Sequence, residues 1–278
     1  MISLTARNRL IAKKTTPQLG FSLIELMIAM TLGAFVIGGI ISVFITSGQS
    51  YRLQQAISQV QDKGRFSVKK LREGIQTAGF KLDYNTVAIK EIVGGVDECT
   101  IDATVKILEV YWYYIDPELD QSKDSEMRYC FYLRGDKKLV RRRISGPADK
   151  KPGTSVAEDE FVILADVHHL DFSFAVDLDG VEGIDIVPPN STYMTADKLQ
   201  VGTGSTAATT ATWQKVRAVR INIIVASDIP NVTDDPQTLI VPFWVEDENG
   251  IKRRQFQAPD KRLYQEYSAT IALRNRKH

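Results

Sequence analysis

Histidine and cysteine are scarce in this sequence, with three of the first and two of the second in 278 residues. That scarcity removes most metal chemistry. His168 and His169 are neighbours on a strand-like segment, so alternation sends them to opposite faces, and His278 is terminal. The acidic, glycine-rich run Asp177–Asp185 lacks the spacing of a calcium loop and reads as a turn. There is no phosphate-binding loop, dinucleotide fingerprint or nucleophile elbow. No catalytic residue, metal or cofactor is therefore expected, and the enzyme class is set aside. A dominant charge is lacking too, since the net charge is +1. Residues 1–20 hold Arg7, Arg9, Lys13 and Lys14 and no acid, which leaves 31 basic against 34 acidic residues in the remainder. Such a body is not built to grip phosphates, so stable nucleic-acid binding is not expected. Arg141–Arg143 and Lys252–Arg254 read as solvated strand edges.

Proline is missing between Pro17 and Pro117, so nothing there forces a helix to break. What fills this gap is one apolar run, Phe21–Ile45, followed by a polar segment that keeps an apolar stripe. The run is 25 residues long, about 37 Å as a helix, enough to cross a bilayer. It exceeds the apolar core of a cleaved secretory signal, and no small-x-small cleavage site follows it. The basic residues before it favour a cytoplasmic start, with residues 50–278 on the far side of the inner membrane. Beyond it, Leu53, Ile57, Val60, Gly64, Val68, Leu71, Ile75 and Ala78 recur at intervals of three and four. One helix is expected from about Phe21 to Ala78, with Gly79 as its stop. Flexibility in its apolar half would come from Gly33, Gly38 and Gly39. One residue does not suit a plain anchor. Glu25 is a carboxylate five residues into the apolar run, where a charge is costly.

The rest reads mainly as β-structure. Thr104–Ile115, Met127–Leu133, Lys138–Ile144, Leu170–Asp177, Lys215–Ser227 and Arg262–Arg276 alternate or are rich in β-branched and aromatic residues. Gly135-Asp136 marks a hairpin turn. Thr192–Thr212 reads as an exposed loop, and Asn231–Arg254 as a hairpin around Asn249-Gly250 or a second loop. The implied fold is α+β, an antiparallel sheet packed on the helix's apolar stripe. An even cysteine count in an exported chain suggests one disulfide, Cys99 to Cys130. Closing that loop of about 30 residues would contribute roughly 3.5 kcal/mol. Two buried free thiols are the other reading.

The stretch Gly20-Phe21-Ser22-Leu23-Ile24-Glu25-Leu26-Met27-Ile28-Ala29 resembles the class III signal of type IV prepilins and type II secretion pseudopilins. Lys63–Phe80, Val216–Ser227 and Tyr267–Arg276 resemble PilW-type minor pilins, to which GspJ-type minor pseudopilins are related. The resemblance implies a pilin-like ladle: a leader over 1–20, a helix over 21–79 that spans the membrane at about 21–45, and a periplasmic β-rich head over 80–278. It implies that a prepilin peptidase/methyltransferase cuts after Gly20 and methylates the new amine of Phe21. Glu25 would then neutralise such an amine, by preference that of a neighbouring subunit, as a register device for assembly. The implied partners are the peptidase, other minor pilins, the major pilin and the inner membrane, with transfer to the pilus at the cell surface after assembly. The implied function is a minor pilin that helps initiate a type IV pilus at or near its tip, serving motility, adhesion or DNA uptake. A type II secretion minor pseudopilin and a membrane-anchored periplasmic binding module are the alternatives. One departure is that Lys81-Leu82-Asp83 stands where many PilW-type chains have a cysteine, so no bond there is carried over.

Overall fold

The computed structural model describes residues 20–80, 82, 87–93, 106–114, 125–145, 160–177, 193–196, 213–247 and 250–274. The chain divides into two compact units, one up to Ser50 and one over Tyr51–His278. A single helix, α1 (Leu23–Gln76), contributes residues to both.

In the first unit the helix buries no residue of its apolar half and is long and apolar enough to cross a membrane. Its two threonines are satisfied within the helix. Thr31 donates to the Ile28 carbonyl at 2.8 Å and Thr46 to the Ser42 carbonyl at 3.0 Å, which removes their cost in an apolar medium. A Cβ added at Gly33, Gly38 or Gly39 would meet nothing within 4 Å.

In the second unit α1 buries Ala56, Val60, Gly64, Ser67, Leu71 and Ile75. This face is rotated slightly from the expected stripe: Leu53 and Ile57 are 40% and 38% exposed. Small residues explain the rotation. The ring of Tyr267 lies where a Gly64 Cβ would be, and that of Phe131 where a Gly74 Cβ would be. Two aromatic rings thus sit against helix backbone, and the bulkier Leu53 and Ile57 cannot share that contact. The regular helix stops at Gln76. Thr77, Ala78 and Phe80 then donate to carbonyls three residues back. Gly79 turns the chain with φ 76°, and its N–H donates to the Tyr111 carbonyl at 2.8 Å. That left-handed turn is open to glycine at no steric cost.

Among the described residues ten strands accompany the helix, all paired antiparallel. The strands β1 (Ile89–Val93), β2 (Lys106–Tyr114), β3 (Ser125–Arg134), β4 (Lys138–Ser145) and β5 (Glu160–Leu164) form one sheet in chain order. A second sheet has the order β10-β7-β6, from β6 (Val167–Val176), β7 (Val216–Ala226) and β10 (Tyr264–Ala272). The hairpin of β8 (Thr238–Asp247) and β9 (Gly250–Gln257) is a separate two-stranded sheet. The expected strands are all present, but among the described residues three hydrogen-bonded sheets stand in place of one. The core joins Val60, Leu71 and Ile75 of α1 to Phe131, Phe172 and Ile221 of the two larger sheets.

Local chemistry shifts several details. The β3–β4 turn is a three-residue loop in which Lys137, not Gly135, takes the left-handed conformation at φ 64°. Its N–H donates to the Arg134 carbonyl at 3.0 Å. Asp136 closes the loop by accepting two bonds from the Arg134 guanidinium, at 2.8 and 2.7 Å. His168 and His169 do not part as alternation predicts. A β-bulge falls between Val167 and His169, and both rings come within 6.5 Å of the Phe256 ring. Bulges re-aim side chains in this way. Most of Thr192–Thr212 lies outside the described residues. At its described start, Met194 pairs with Phe174 and Ala196 is buried, so that end is not an exposed loop. Of the run Asp177–Asp185 only Asp177 is described. It is buried, with Arg217 Nη2 at 3.1 Å from its carboxylate.

Candidate processing and assembly site

Three residues read from the sequence as a site fall on consecutive backbone at the start of α1. Gly20 and Phe21 precede the helix, and both are exposed. The Leu26 N–H donates to the Ser22 carbonyl at 3.1 Å, so Ser22 is the N-cap residue and Glu25 the third helical position. Serine followed three residues later by glutamate is the capping-box pattern. A carboxylate at this position lies beside the unsatisfied N–H groups of the first turn and the positive end of the helix dipole. This gives Glu25 a local use in the uncut chain, where Phe21 carries a peptide N–H and no ammonium. Among the described residues Glu25 makes no ion pair, and its side chain is exposed.

The surroundings of the site are apolar and open. From Phe21 to Ile45, sixteen large apolar side chains are between 53% and 86% exposed. An apolar surface of this size does not persist in water and must be covered by lipid or protein. The glycines on this stretch leave its backbone accessible to close neighbours.

In the second unit α1 is held by charge as well as by packing. Lys63 Nζ donates to Asp228 Oδ1 at 2.6 Å and to the Ala226 carbonyl at 3.0 Å, and lies 3.5 Å from Asp166 Oδ2. Arg262 reaches the same Asp166 with Nη1 at 2.8 Å and binds Asp260 with Nε at 2.9 Å. Burial pushes the Asp166 carboxyl up, but the Arg262 hydrogen bond and the Lys63 charge outweigh it and hold the carboxyl below the usual range. Burial, then the Arg262 guanidinium 3.1 Å away, push the His168 ring below the ordinary histidine range, so it sits here as a neutral ring. Lys63 lies in the polar segment that follows the apolar run, and sequence reasoning gave it no role of its own. The signal that could have found it is its place directly before Gly64, at the edge of the buried stripe.

Cys130 is fully buried on β3, in contact with Ile107, Tyr132 and Val140. Cys99 lies outside the described residues. Among the described residues no group of three metal-ligating side chains is gathered.

Comparison with known proteins agrees in two places. Residues 16–41 match the prokaryotic N-terminal methylation motif. Residues 120–275 match the family described as type IV pilus-assembly protein W. No curated protein matches the chain. Among solved structures it is similar to a type IV-like pilin from Thermus thermophilus, with 10% identity and a TM-score of 0.42 over 78% of this chain and 98% of that one. The motif at the start of α1 and a family match over more than half of the residues lead to one assignment: the chain belongs to the PilW family and is a PilW-type minor pilin carrying a prepilin signal.

Proposed function

We propose that this minor pilin helps to initiate a type IV pilus and sits at or near its tip. The observation that carries the reading is a carboxylate at the third position of a helix whose apolar half has no cover of its own. A prepilin peptidase/methyltransferase cuts after Gly20 and methylates the Phe21 amine. Glu25 then leaves its own helix terminus for the amine of a neighbouring subunit. Pairing two charges in an apolar bundle is favourable only when both partners arrive, so the pair fixes register. The head faces the periplasm before assembly, which the four basic residues before Pro17 support. Other minor pilins and the major pilin are the partners, and motility, adhesion or DNA uptake the downstream uses. The PilW match favours the pilus over a type II secretion system.

The test is Glu25→Ala at matched protein level. Membrane insertion is expected to persist while surface pili, counted by electron microscopy, fall at least tenfold. Normal pilus numbers would remove Glu25 from assembly. In the oxidising periplasm Cys99 and Cys130 are proposed to be bonded, contributing about 3.5 kcal/mol. Alkylation of the denatured chain should add mass only after reduction, and labelling without reduction would refute the bond.

A further inference from the structure

The five-stranded sheet ends on β5, and among the described residues nothing pairs with its outer side. Natural sheets guard such an edge with charge, proline or cover. The one charge on β5, Glu160, is bound to Arg134, and Phe161–Leu164 carries no charge and no proline. Instead Phe161 is 54% exposed and Val162 40%. The side facing α1 opens into a cleft of about 370 Å³ lined by Lys70, Glu73, Tyr129, Arg141, Phe161 and Ile163, among others.

The charges around this cleft are unbalanced. The Arg141 guanidinium lies between two rings, 4.7 Å from the centre of Tyr129 and 5.6 Å from that of Phe161. Among the described residues it has no carboxylate within ion-pair distance. Arg143 follows on the same face of β4, opposite Tyr129 in the ladder, and is exposed. Lys69 and Lys70 share one acid, Glu73, at 4.0 and 2.9 Å. Four cations thus face one carboxylate beside an open strand edge.

We propose that this edge docks an extended acidic segment of another polypeptide, which adds a strand to β5. The segment's backbone pairs with the free N–H and C=O groups of β5. Its alternate side chains place carboxylates at Arg141 and Lys70, on the face that carries Phe161, and the apolar residue between them covers the 40% exposed Val162 on the opposite face. A second copy of this chain fits poorly, because pairing β5 with β5 would bring Arg141, Arg143 and Lys70 of the two copies towards one another. A single-stranded nucleic acid would use the rings and cations but leave the strand edge unpaired.

The probe is a fluorescent peptide of three Glu-Val repeats, titrated against the full chain in detergent micelles and followed by anisotropy. It is expected to bind at least tenfold more tightly than a peptide of three Lys-Val repeats. Methylating its alternate backbone nitrogens should abolish binding. Arg141→Glu should weaken it at least tenfold and Arg141→Lys much less. Phe161→Glu, which puts a carboxylate beside Arg141 at an exposed side chain, should also weaken it while the circular dichroism spectrum stays unchanged. Equal binding of the two peptides, or no effect of backbone methylation, overturns the proposal. So does a twelve-residue oligo-dT that binds where the peptide does not, or self-association of the chain that Phe161→Glu reverses.

Discussion

Replacing Gly74 by leucine is expected to lower the melting temperature of the full chain by about 6–12 °C. In an exposed helix the exchange would help, since glycine costs about 1 kcal/mol there. Here the first added carbon falls onto the Cζ of Phe131. Phe131 is fully buried, in the same cluster as Leu71 and Ile75, so its ring has nowhere to turn. Overpacking of this kind costs about 3 kcal/mol, which outweighs the gain in helix propensity. Gly74→Ala carries only the first carbon and should fall between wild type and leucine. Gly48→Ala is the control, because a Cβ there meets nothing within 4 Å, and its melting temperature should not fall. A thermal scan that finds Gly74→Leu as stable as the parent would mean that α1 does not sit directly on the Phe131 ring.

The second large effect is on processing. With Gly20→Val, essentially all of the protein is expected to keep residues 1–20, read by mass spectrometry of the membrane fraction. A Cβ at Gly20 meets nothing within 4 Å in the chain itself. Any intolerance of a side chain there would therefore come from the peptidase and not from the fold. The folded head should be unaffected, which separates this variant from one that simply fails to fold. Because no new amine forms, Glu25 would have no ammonium to meet, and the pilus defect should match that of Glu25→Ala. Normal removal of residues 1–20 from Gly20→Val would detach cleavage from this glycine.

The contrast between Gly20 and Gly74 shows what can be read from the sequence. Gly20, Phe21 and Glu25 lie within six residues, and their chemistry is local, so their pattern is visible without a fold. The role of Gly74 depends on a ring 57 positions away, and that of Gly64 on Tyr267 from the last strand. Nothing near either glycine announces a ring. The same difference explains the helix face. Periodicity selects Leu53 and Ile57 because they are large, whereas close packing selects Ala56 and Ser67 because they are small. Strands β2, β3, β6, β7 and β10 are long and alternate clearly, and they stand out. Strands β1 and β5 have five residues each, too short to display a period. The division into three sheets depends on hydrogen bonds between distant segments, which local patterns do not encode. The expectation that His168 and His169 point to opposite faces failed for a related reason, since a bulge has no signature in a single strand.

The sixteen exposed apolar side chains of the first helical half also constrain how the subunit can travel. Transferring them from lipid into water would cost on the order of 30 kcal/mol, at about 2 kcal/mol each. Moving them from lipid to the flank of like helices costs little, because lipid tails and leucine side chains are equally apolar. Release through water is therefore closed at any useful rate. The subunit can only be handed directly from one apolar neighbour to the next, so any acceptor for this helix must already adjoin the bilayer when the helix leaves it.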